Sequence, residues 1–296
     1  MEKTQRSMID TVKTNELLLE YLLKTLENKS RNAIKSILTR GQVYVNGIQV
    51  TKHNYELKIG DKIEITTNKV AKAAVFQNMS ILYEDDSIIV INKGAGLLSM
   101  ASGKDNELTA YKQLTTYVKK LHPKNRVFIV HRLDQETSGV MVLAKTEKAK
   151  QYLQNNWKHI VEERTYIALV EGKVAKEDGT IKSWLKETKT YKMYSSDTPQ
   201  DGKLAITHYH VKKRSNHNTL LTVKLDTGRK NQIRVHMHDL GNPIVGDKKY
   251  GAKTNPIKRL GLHAQILAFK HPDTKKIVRF EANFPKSFLN QMKKNL

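Results

Sequence analysis

The sequence predicts an α+β fold in which a mostly antiparallel, mixed β-sheet is flanked by helices. Short apolar runs rich in β-branched residues are bounded by polar or glycine residues along much of the chain, which is typical of strands. These runs follow one another without the regular strand–helix–strand alternation of a parallel α/β protein. Helix-period stretches fit best around residues 107–121, 147–158 and 229–240. With 296 residues, the chain is long enough for one large domain or two.

Composition indicates a globular and strongly basic protein. Hydrophobic residues make up 39% of the chain and charged residues 27%, which excludes a disordered chain. Lysine and arginine number 52 against 29 acidic residues, a formal net charge of +23. This excess favours a polyanionic partner such as nucleic acid, because neutralising phosphates releases counterions. On charge alone, a merely basic protein stays an alternative. The net charge is +3 over residues 1–66 and +14 over residues 161–296.

The residues that the sequence lacks narrow the function further. There is no cysteine, which excludes disulfides, thiolate nucleophiles and cysteine-based zinc sites. The histidine pairs His208/His210 and His236/His238 have no acidic triad beside them, so no metal site is expected. A signal-peptide pattern and an uncharged stretch of about 20 residues are both absent. We therefore expect a cytoplasmic protein without membrane association.

The N-terminal part predicts a small domain of two helices and a hairpin. The first eleven residues are polar and are expected to be frayed. Leucines at positions 18, 22, 23 and 26 predict a first helix, and residues 30–40 predict a second, with Ser30 as N-cap and Gly41 after its end. Alternating residues around Asn46-Gly47 predict a hairpin over 42–50, and a turn and strand follow at 57–65.

The predicted domains are residues 14–66 and 80–296, joined by a linker over 67–79 that has no clear amphipathic period. In the second domain, residues 81–93 predict a strand, an acidic turn and another strand. Further strands are predicted over residues 127–130, 140–144, 166–170, 205–211, 220–225 and 277–282.

The order of motifs in the N-terminal domain resembles the α-L RNA-binding domain first known in ribosomal small-subunit protein four. The matching pieces are Ser30-Arg31, residues 41–47 and residues 60–63. The resemblance implies RNA contacts by basic residues on or at the end of the second helix, namely Arg31, Lys35 and Arg40. From the helix pattern alone, the solvated face of an amphipathic helix is the favoured explanation for these charges; the ordered motifs favour RNA.

The most informative run is residues 131–145, HRLDQETSGVMVLAK, which lies between two apolar strands. It resembles the signature of the RluA-type family of pseudouridine synthases. The resemblance implies that Asp134 is the nucleophile, that Arg132 fills the position vacated by a flipped uridine, and that His131 contacts RNA. A lone aspartate that caps a turn is the alternative, and the length of the match argues against it.

Four further segments resemble the family in the same order along the chain. Residues 93–99 match the first family motif, in which Lys93 borders the active site and is expected to contact RNA, and Gly94 stands where proline is usual. A dinucleotide-binding loop there is a weak alternative, since the third glycine is missing. Residues 163–172 carry Tyr166, which in the family stacks on the flipped base and is a candidate for proton transfer.

Residues 225–237 resemble the third family motif, and residues 240–247 continue it. We expect Arg229 and Lys230 in the first turn of a helix, where they bind phosphate. Arg234 is the predicted partner of Asp134, because a buried carboxylate needs a cation to stay ionised. Asn231 stands where the family usually has histidine, and an altered substrate contact is expected there. The closing family segment, 260–272, contains His263, for which cleft-lining and structural roles both stay open.

The resemblance implies an isomerase, an RNA pseudouridine synthase that flips its target uridine and uses neither an organic cofactor nor a metal. Large-subunit ribosomal RNA is the favoured substrate, transfer RNA is possible, and a monomer is expected. A catalytically altered RNA-binding or ribosome-assembly factor on the same fold is the first alternative. An RNA methyltransferase is the second, and it lacks an intact S-adenosylmethionine loop.

Overall fold

The computed structural model describes residues 8–27, 29–39, 42–65, 76–101, 107–199 and 201–294. The chain divides into two compact units. The first comprises Met1–Val75 and Tyr117–Lys124, and the second comprises Phe76–Thr116 and Asn125–Leu296. No helix in the described ranges is both long and apolar enough to cross a membrane.

The first unit contains two helices and two small antiparallel sheets. Its elements are β1 (Met8–Thr11), β2 (Glu16–Leu17), α1 (Leu18–Thr25), α2 (Arg31–Thr39), β3 (Val43–Val45), β4 (Ile48–Gln49), β5 (Glu56–Leu57) and β6 (Lys62–Ile65). The larger sheet has the order β1-β6-β3-β4, and β2 pairs with β5. Buried leucine, isoleucine and valine side chains from both helices and from β3, β5 and β6 form one core.

Local sequence signals account for most of the first unit. The Ser30 hydroxyl accepts the Ala33 N–H at 3.3 Å, as an N-cap should. Asn46 and Gly47 have φ of 52° and 78°, and left-handed φ at both central residues is what a two-residue hairpin turn needs. The predicted fraying of the first eleven residues is wrong for Met8–Thr11, which pairs along β6. Arg40 and Gly41 lie outside the described residues.

The second unit is built on a single large sheet of eleven strands. The strands are β7 (Met79–Glu84), β8 (Ile88–Lys93), β9 (Phe128–Ile129), β10 (Ser138–Ala144), β11 (Val161–Glu171), β12 (Asp178–Glu187), β13 (Met193–Ser196), β14 (Lys203–Arg214), β15 (Asn218–Leu225), β16 (Leu262–Lys270) and β17 (Ile277–Glu281). The order is β13-β12-β14-β15-β11-β16-β10-β8-β7, with β17 beside β16 and β9 beside β10. All these pairings are antiparallel except β10 with β16, so the predicted mixed, mostly antiparallel sheet is confirmed.

The remaining helices follow α2 along the chain. They are α3 (Ala110–Leu121), α4 (Glu147–Ile160), α5 (Gln232–Asp239) and α6 (Lys286–Lys294), with a 3₁₀ turn at Lys248–Tyr250. Helix α4 packs through Ala149 and Leu153 on residues of β8, β10 and β16. Helix α5 packs through Ile233 and Met237 on β11 and β15. These two helices thereby fix the segments that flank the middle of the sheet.

The structure of this unit differs from the sequence predictions at several places. The helix predicted over 229–240 begins only at Gln232, because Asn231 before it has a left-handed φ of 53° that ends the helical geometry. Strands β12 and β13, which have largely exposed polar faces, are absent from the predicted elements. Strand β7 begins at Met79, the last residue of the predicted linker, and residues 66–75 lie outside the described part of the chain.

The parallel junction of β10 with β16 depends on a close backbone approach. Every residue of β10 is buried. Gly139 pairs with Lys93 on one side and with Ala264 on the other. Its φ is +120°, and a Cβ there would lie 2.0 Å from the Ala264 carbonyl oxygen. Only glycine fits, and the loop that enters β10 is thereby fixed in the middle of the sheet.

We therefore predict that Gly139→Ala lowers the free energy of unfolding by about 3 kcal/mol or more, from backbone strain and overlap together. Urea unfolding of the purified protein measures the change. Gly241→Ala is the matched control, since Gly241 has φ of +81° with nothing within 4 Å of its added Cβ. That variant should lower the free energy of unfolding by only about 1 kcal/mol. Equal effects of the two substitutions would contradict the close approach.

Candidate active site

A cleft of about 840 Å³ opens beside β10, α4, β11 and the start of α5. It brings together seven of the candidate residues that the sequence predicts for this unit, and two others, Lys93 and Lys230, do not line it. The seven lining residues are His131, Arg132, Asp134, Tyr166, Arg229, Asn231 and Arg234. Residues far apart in the sequence thus meet in one cavity that holds a carboxylate, a phenol and several cations.

The Asp134 carboxylate lies in the loop between β9 and β10, and about 30% of its side chain is exposed. The loop is closed by a turn in which the Thr137 N–H donates to the Asp134 carbonyl at 3.1 Å. The Asn231 Nδ2 donates to Asp134 Oδ2 at 2.5 Å, and Arg234 Nη1 is 3.9 Å from the same oxygen. The carboxylate is therefore held by a donor and a nearby cation while it stays accessible from the cleft.

Arg234 forms the predicted ion pair with Asp134 at 3.9 Å, and it forms a second, stronger pair with Asp247 that the sequence analysis did not predict. Arg234 Nε and Nη2 donate to the two Asp247 oxygens at 2.7 and 2.8 Å. The Asp247 side chain is fully buried. Burial opposes the charge of Arg234, but its hydrogen bonds to Asp247 and the charges of Asp247 and Asp134 raise its pKa overall. Arg234 therefore stays cationic and faces Asp134 only at longer range.

Asn231 is expected from the sequence to contact RNA, and the structure gives its side chain another partner. The residue is 8% exposed and precedes α5 without capping it. The Gln232 Oε1 accepts the Arg229 N–H at 3.0 Å, which holds the segment just before the helix. The Asn231 amide is directed to Asp134, so this position, where histidine is usual, orients the carboxylate.

Tyr166 lies on β11 with its ring on the wall of the cleft. Burial and the charge of Asp134 raise the pKa of its phenol, while the Arg164 charge opposes the shift. The phenol is therefore protonated near neutral pH. Arg164 was missed in the sequence, although it stands two residues before Tyr166 on the same strand and hence on the same face. Its guanidinium also lines the cleft and donates to the carbonyls of Leu225 and Asp226 at 3.1 Å.

His131 supports the loop that carries Asp134. Its ring stacks on Trp157 at 4.7 Å between centroids, and its Nε2 accepts the Val142 N–H at 3.1 Å. Burial lowers the pKa of His131 to about 3, so the ring is neutral and able to accept. These contacts fix His131 as part of the cleft wall, and its contact with RNA stays a prediction.

Lys93 supports the same loop from below the surface. Its ammonium has no exposed surface and donates to the carbonyls of Gly94, Leu97 and Gln135 at 2.9, 2.7 and 2.9 Å. Burial lowers the pKa of Lys93 to about 8. A side chain without exposure cannot offer its charge to RNA, which corrects the contact predicted for it. Lys93 instead ties the 94–99 segment to the turn after Asp134.

Glycine suits position 94, where the family usually has proline. The Gly94 N–H donates to the Asn78 carbonyl at 2.8 Å, a bond that proline cannot make. A Cβ at this position would lie 1.8 Å from Asn78 Oδ1. The Asn78 amide also donates to the Ala95 carbonyl at 2.7 Å, so the turn is fixed by Asn78 without a proline ring.

The remaining cations are distributed around the rim. Arg132 is exposed at the edge of the cleft. Arg229 donates through Nε to the Leu204 carbonyl at 2.9 Å, and Lys230 pairs with Glu187. Arg229 and Lys230 both precede α5, which corrects their expected position in its first turn.

Buried histidines outside the cleft have hydrogen-bonded structural roles. His236 bonds to Ser183 and Thr207, and His263 bonds to Ser138 and to the Ala282 carbonyl. Of the two roles left open for His263, the structural one fits. Within the described residues, no group of three or more His, Cys, Asp or Glu side chains is placed to hold a metal ion.

We predict that Arg234→Ala lowers the free energy of unfolding by about 3–5 kcal/mol, because the buried Asp247 carboxylate loses its cation. Arg234→Lys should recover only part, since an ammonium cannot form the two-point contact. Urea unfolding measures both variants. Arg279→Ala is the control, because its pairs with Glu163 and Glu281 are exposed to solvent and should contribute little to stability. An effect no larger than that of the control would show that Asp247 does not depend on Arg234.

Comparisons with known proteins identify the family of the chain. A family model for RNA pseudouridylate synthase matches residues 87–239, and an S4 domain model matches residues 18–63. An uncharacterized RNA pseudouridine synthase of Bacillus subtilis is 35% identical over 95% of each chain. Ribosomal large subunit pseudouridine synthase C of Buchnera aphidicola is 34% identical over 88% of each chain. Ribosomal large subunit pseudouridine synthase D of Neisseria meningitidis is 32% identical over 89% of this chain and 74% of that protein.

Solved structures show the same fold. Human RNA pseudouridylate synthase domain containing 4 has a TM-score of 0.60 at 25% identity, over 72% of this chain and 92% of that one. Human RNA pseudouridylate synthase domain containing 1 has a TM-score of 0.58 at 27% identity, over 70% and 84%. The chain therefore belongs to the RluA-type family of RNA pseudouridine synthases, which are isomerases, and it carries an S4 RNA-binding domain ahead of the synthase domain.

Proposed function

We propose that this protein converts uridine to pseudouridine in large-subunit ribosomal RNA, with Asp134 as the nucleophile. The observation that carries the proposal is the accessible Asp134 carboxylate, held by Asn231 and faced by Arg234 in a cleft that also contains Tyr166. The names of the relatives from Buchnera aphidicola and Neisseria meningitidis support ribosomal RNA over transfer RNA.

The target uridine must leave its stack before the carboxylate can reach it. Extruding a base costs a few kcal/mol, and enzymes of this kind recover it through contacts with the flipped nucleotide. A volume of about 840 Å³ accommodates a nucleotide. The Tyr166 ring offers a stacking surface inside the cleft. The exposed Arg132 at its edge is positioned to occupy the gap left in the RNA.

The proposed chemistry is an isomerisation, so the nucleotide gains and loses no atoms. Asp134 forms a covalent bond with the nucleotide, at the sugar or at the base ring, and the bond between N1 and C1′ breaks. The base turns within the cleft, C5 bonds to C1′, and the bond to Asp134 is released. The proton on C5 is lost and N1 gains one. The protonated phenol of Tyr166 lies in the same cleft and is our candidate for moving a proton.

We predict that Asp134→Asn abolishes pseudouridine formation and leaves RNA affinity nearly unchanged, because an amide cannot act as the nucleophile. Single-turnover assays on ribosomal RNA fragments measure the rate, and filter binding measures the affinity. Glu136→Gln is the control, since it removes a charge from an exposed side chain of the same loop. A rate for Asp134→Asn within about tenfold of wild type, or about 1.4 kcal/mol, would exclude Asp134 as the nucleophile.

The substrate is tested by mapping pseudouridines with carbodiimide adducts in cells with and without this protein. We expect specific sites in large-subunit ribosomal RNA to disappear and to return with the wild-type protein but not with Asp134→Asn. Loss of sites in transfer RNA alone would contradict the ribosomal assignment. If Asp134→Asn restored ribosome assembly and no site depended on the protein, the assembly-factor alternative would replace the enzyme.

The S4 domain is the second part of the proposal. Arg31 and Lys35 are exposed on α2, where RNA phosphates can reach them. We predict that replacing both by alanine weakens RNA binding and lowers the slope of log affinity against log salt by about 0.7 to 0.9 for each phosphate that is no longer neutralised. Lys24→Ala is the control in the same domain, since Lys24 is exposed and pairs with Glu16. An unchanged salt slope in the double variant would argue that α2 does not bind phosphate.

A further inference from the structure

We infer that Tyr250 is a positioning residue for the reaction, and that it acts through Asn231 to aim an amide N–H at Asp134. The three side chains form one hydrogen-bonded path. The Tyr250 hydroxyl is 3.2 Å from Asn231 Oδ1, and Asn231 Nδ2 is 2.5 Å from Asp134 Oδ2. The inference rests on the proposed role of Asp134 as nucleophile, and it assigns a function to a tyrosine that no sequence motif singles out.

A backbone N–H beside this path sets the direction of both of its hydrogen bonds. The Met193 backbone N–H can only donate, and it donates to the Tyr250 oxygen at 3.2 Å. The Tyr250 proton therefore points away from Met193, toward Asn231 Oδ1. An amide that accepts through its oxygen presents its NH₂ group on the other side. The Asn231 amide is thus oriented with its donor toward the Asp134 carboxylate, and the reverse orientation would set two oxygens against each other.

The Asn231 side chain is available for this because it does not cap the helix that follows it. Asparagine before a helix normally caps it through its side chain, but here that bond is not made. The left-handed φ of 53° is a conformation that asparagine accepts more readily than most residues. The Gln232 side chain accepts the Arg229 N–H and so holds the segment just before the helix. The backbone at 231 therefore serves to turn the amide toward the cleft.

Tyr250 is fixed well enough to define the orientation. It is 1% exposed, so water does not compete for its hydroxyl. Its backbone N–H donates to the Asp247 carbonyl at 3.1 Å within the 3₁₀ turn. The Arg234 guanidinium lies 5.0 Å from its ring centroid and the Lys192 ammonium 5.6 Å. A rigid hydroxyl in a dry environment holds its acceptor in one orientation, which is what a positioning group requires.

The test is a double-mutant cycle on single-turnover rates with the full-length protein and a ribosomal RNA fragment. Asn231→Gly removes the amide, and glycine accepts the φ at this position without strain. We expect its rate constant to fall about 10- to 100-fold, as for loss of a hydrogen bond to a charged group. Tyr250→Phe removes only the hydroxyl and should lower the rate about fivefold. In the double variant, Tyr250→Phe should have no further effect beyond Asn231→Gly.

Three further measurements separate positioning from a structural role. RNA affinity should stay within about twofold of wild type in all three variants, since the path acts on the carboxylate and not on binding. Asn231→His should recover at least tenfold over Asn231→Gly, because one imidazole nitrogen can accept from Tyr250 while the other donates to Asp134. Tyr209→Phe is the control for a buried tyrosine outside this path, and its rate should match wild type.

Independent effects of Tyr250→Phe and Asn231→Gly would overturn the inference, since they would show that Tyr250 does not act through Asn231. Equal rates for Asn231→His and Asn231→Gly would overturn it as well, and that comparison holds even if Tyr250→Phe does not fold. Failure of the proposed function is seen separately, as activity retained by Asp134→Asn. If Asp134→Asn is inactive and the cycle is additive, only the positioning path is wrong.

Discussion

The ion pair between Arg234 and Asp247 is the constraint on which the cleft depends. It is bidentate, and its carboxylate is fully buried, so the geometry of both partners is narrowly fixed. Arg234 belongs to α5, and the pair therefore sets where the start of that helix lies. Asn231, one turn earlier, is placed against Asp134 as a result. Asp247 also accepts the Tyr250 N–H, so one short segment supports both residues that face the carboxylate.

Lys93 supports the loop that carries Asp134 from inside the protein. This lysine is a buried cation surrounded by three backbone carbonyls, and these dipoles stabilise its charge where a carboxylate would otherwise be needed. The arrangement matters for Asp134, because a mobile lysine in the cleft would compete with Arg234 and Asn231 for its oxygens. Lys93 therefore fixes the loop by donating to backbone carbonyls, and the residues at the start of α5 contact the Asp134 carboxylate.

The sequence predicts the features that depend on neighbouring residues. The Asn46-Gly47 hairpin and the buried apolar strand β10 both follow from patterns a few residues long. The second and stronger ion pair of Arg234, with Asp247, does not, since it depends on how α5 and the 3₁₀ turn pack in three dimensions. Asn231 shows the same limit: its left-handed backbone shortens the predicted helix and moves Arg229 and Lys230 out of it.

The two departures from the family pattern are each compensated by a local interaction. Glycine at 94 lacks the stiffness of proline, and Asn78 restores it with hydrogen bonds on both sides of the turn. Asparagine at 231 lacks the imidazole, and the Tyr250 hydroxyl fixes the amide so that a donor still faces Asp134. The Gly94 turn is tied through Lys93 to the loop that carries Asp134, and the Asn231 amide contacts Asp134 directly. The proposed role of Asp134 as nucleophile requires this geometry, whereas RNA binding alone does not, and the two interactions therefore favour an enzyme over an RNA-binding factor on the same fold.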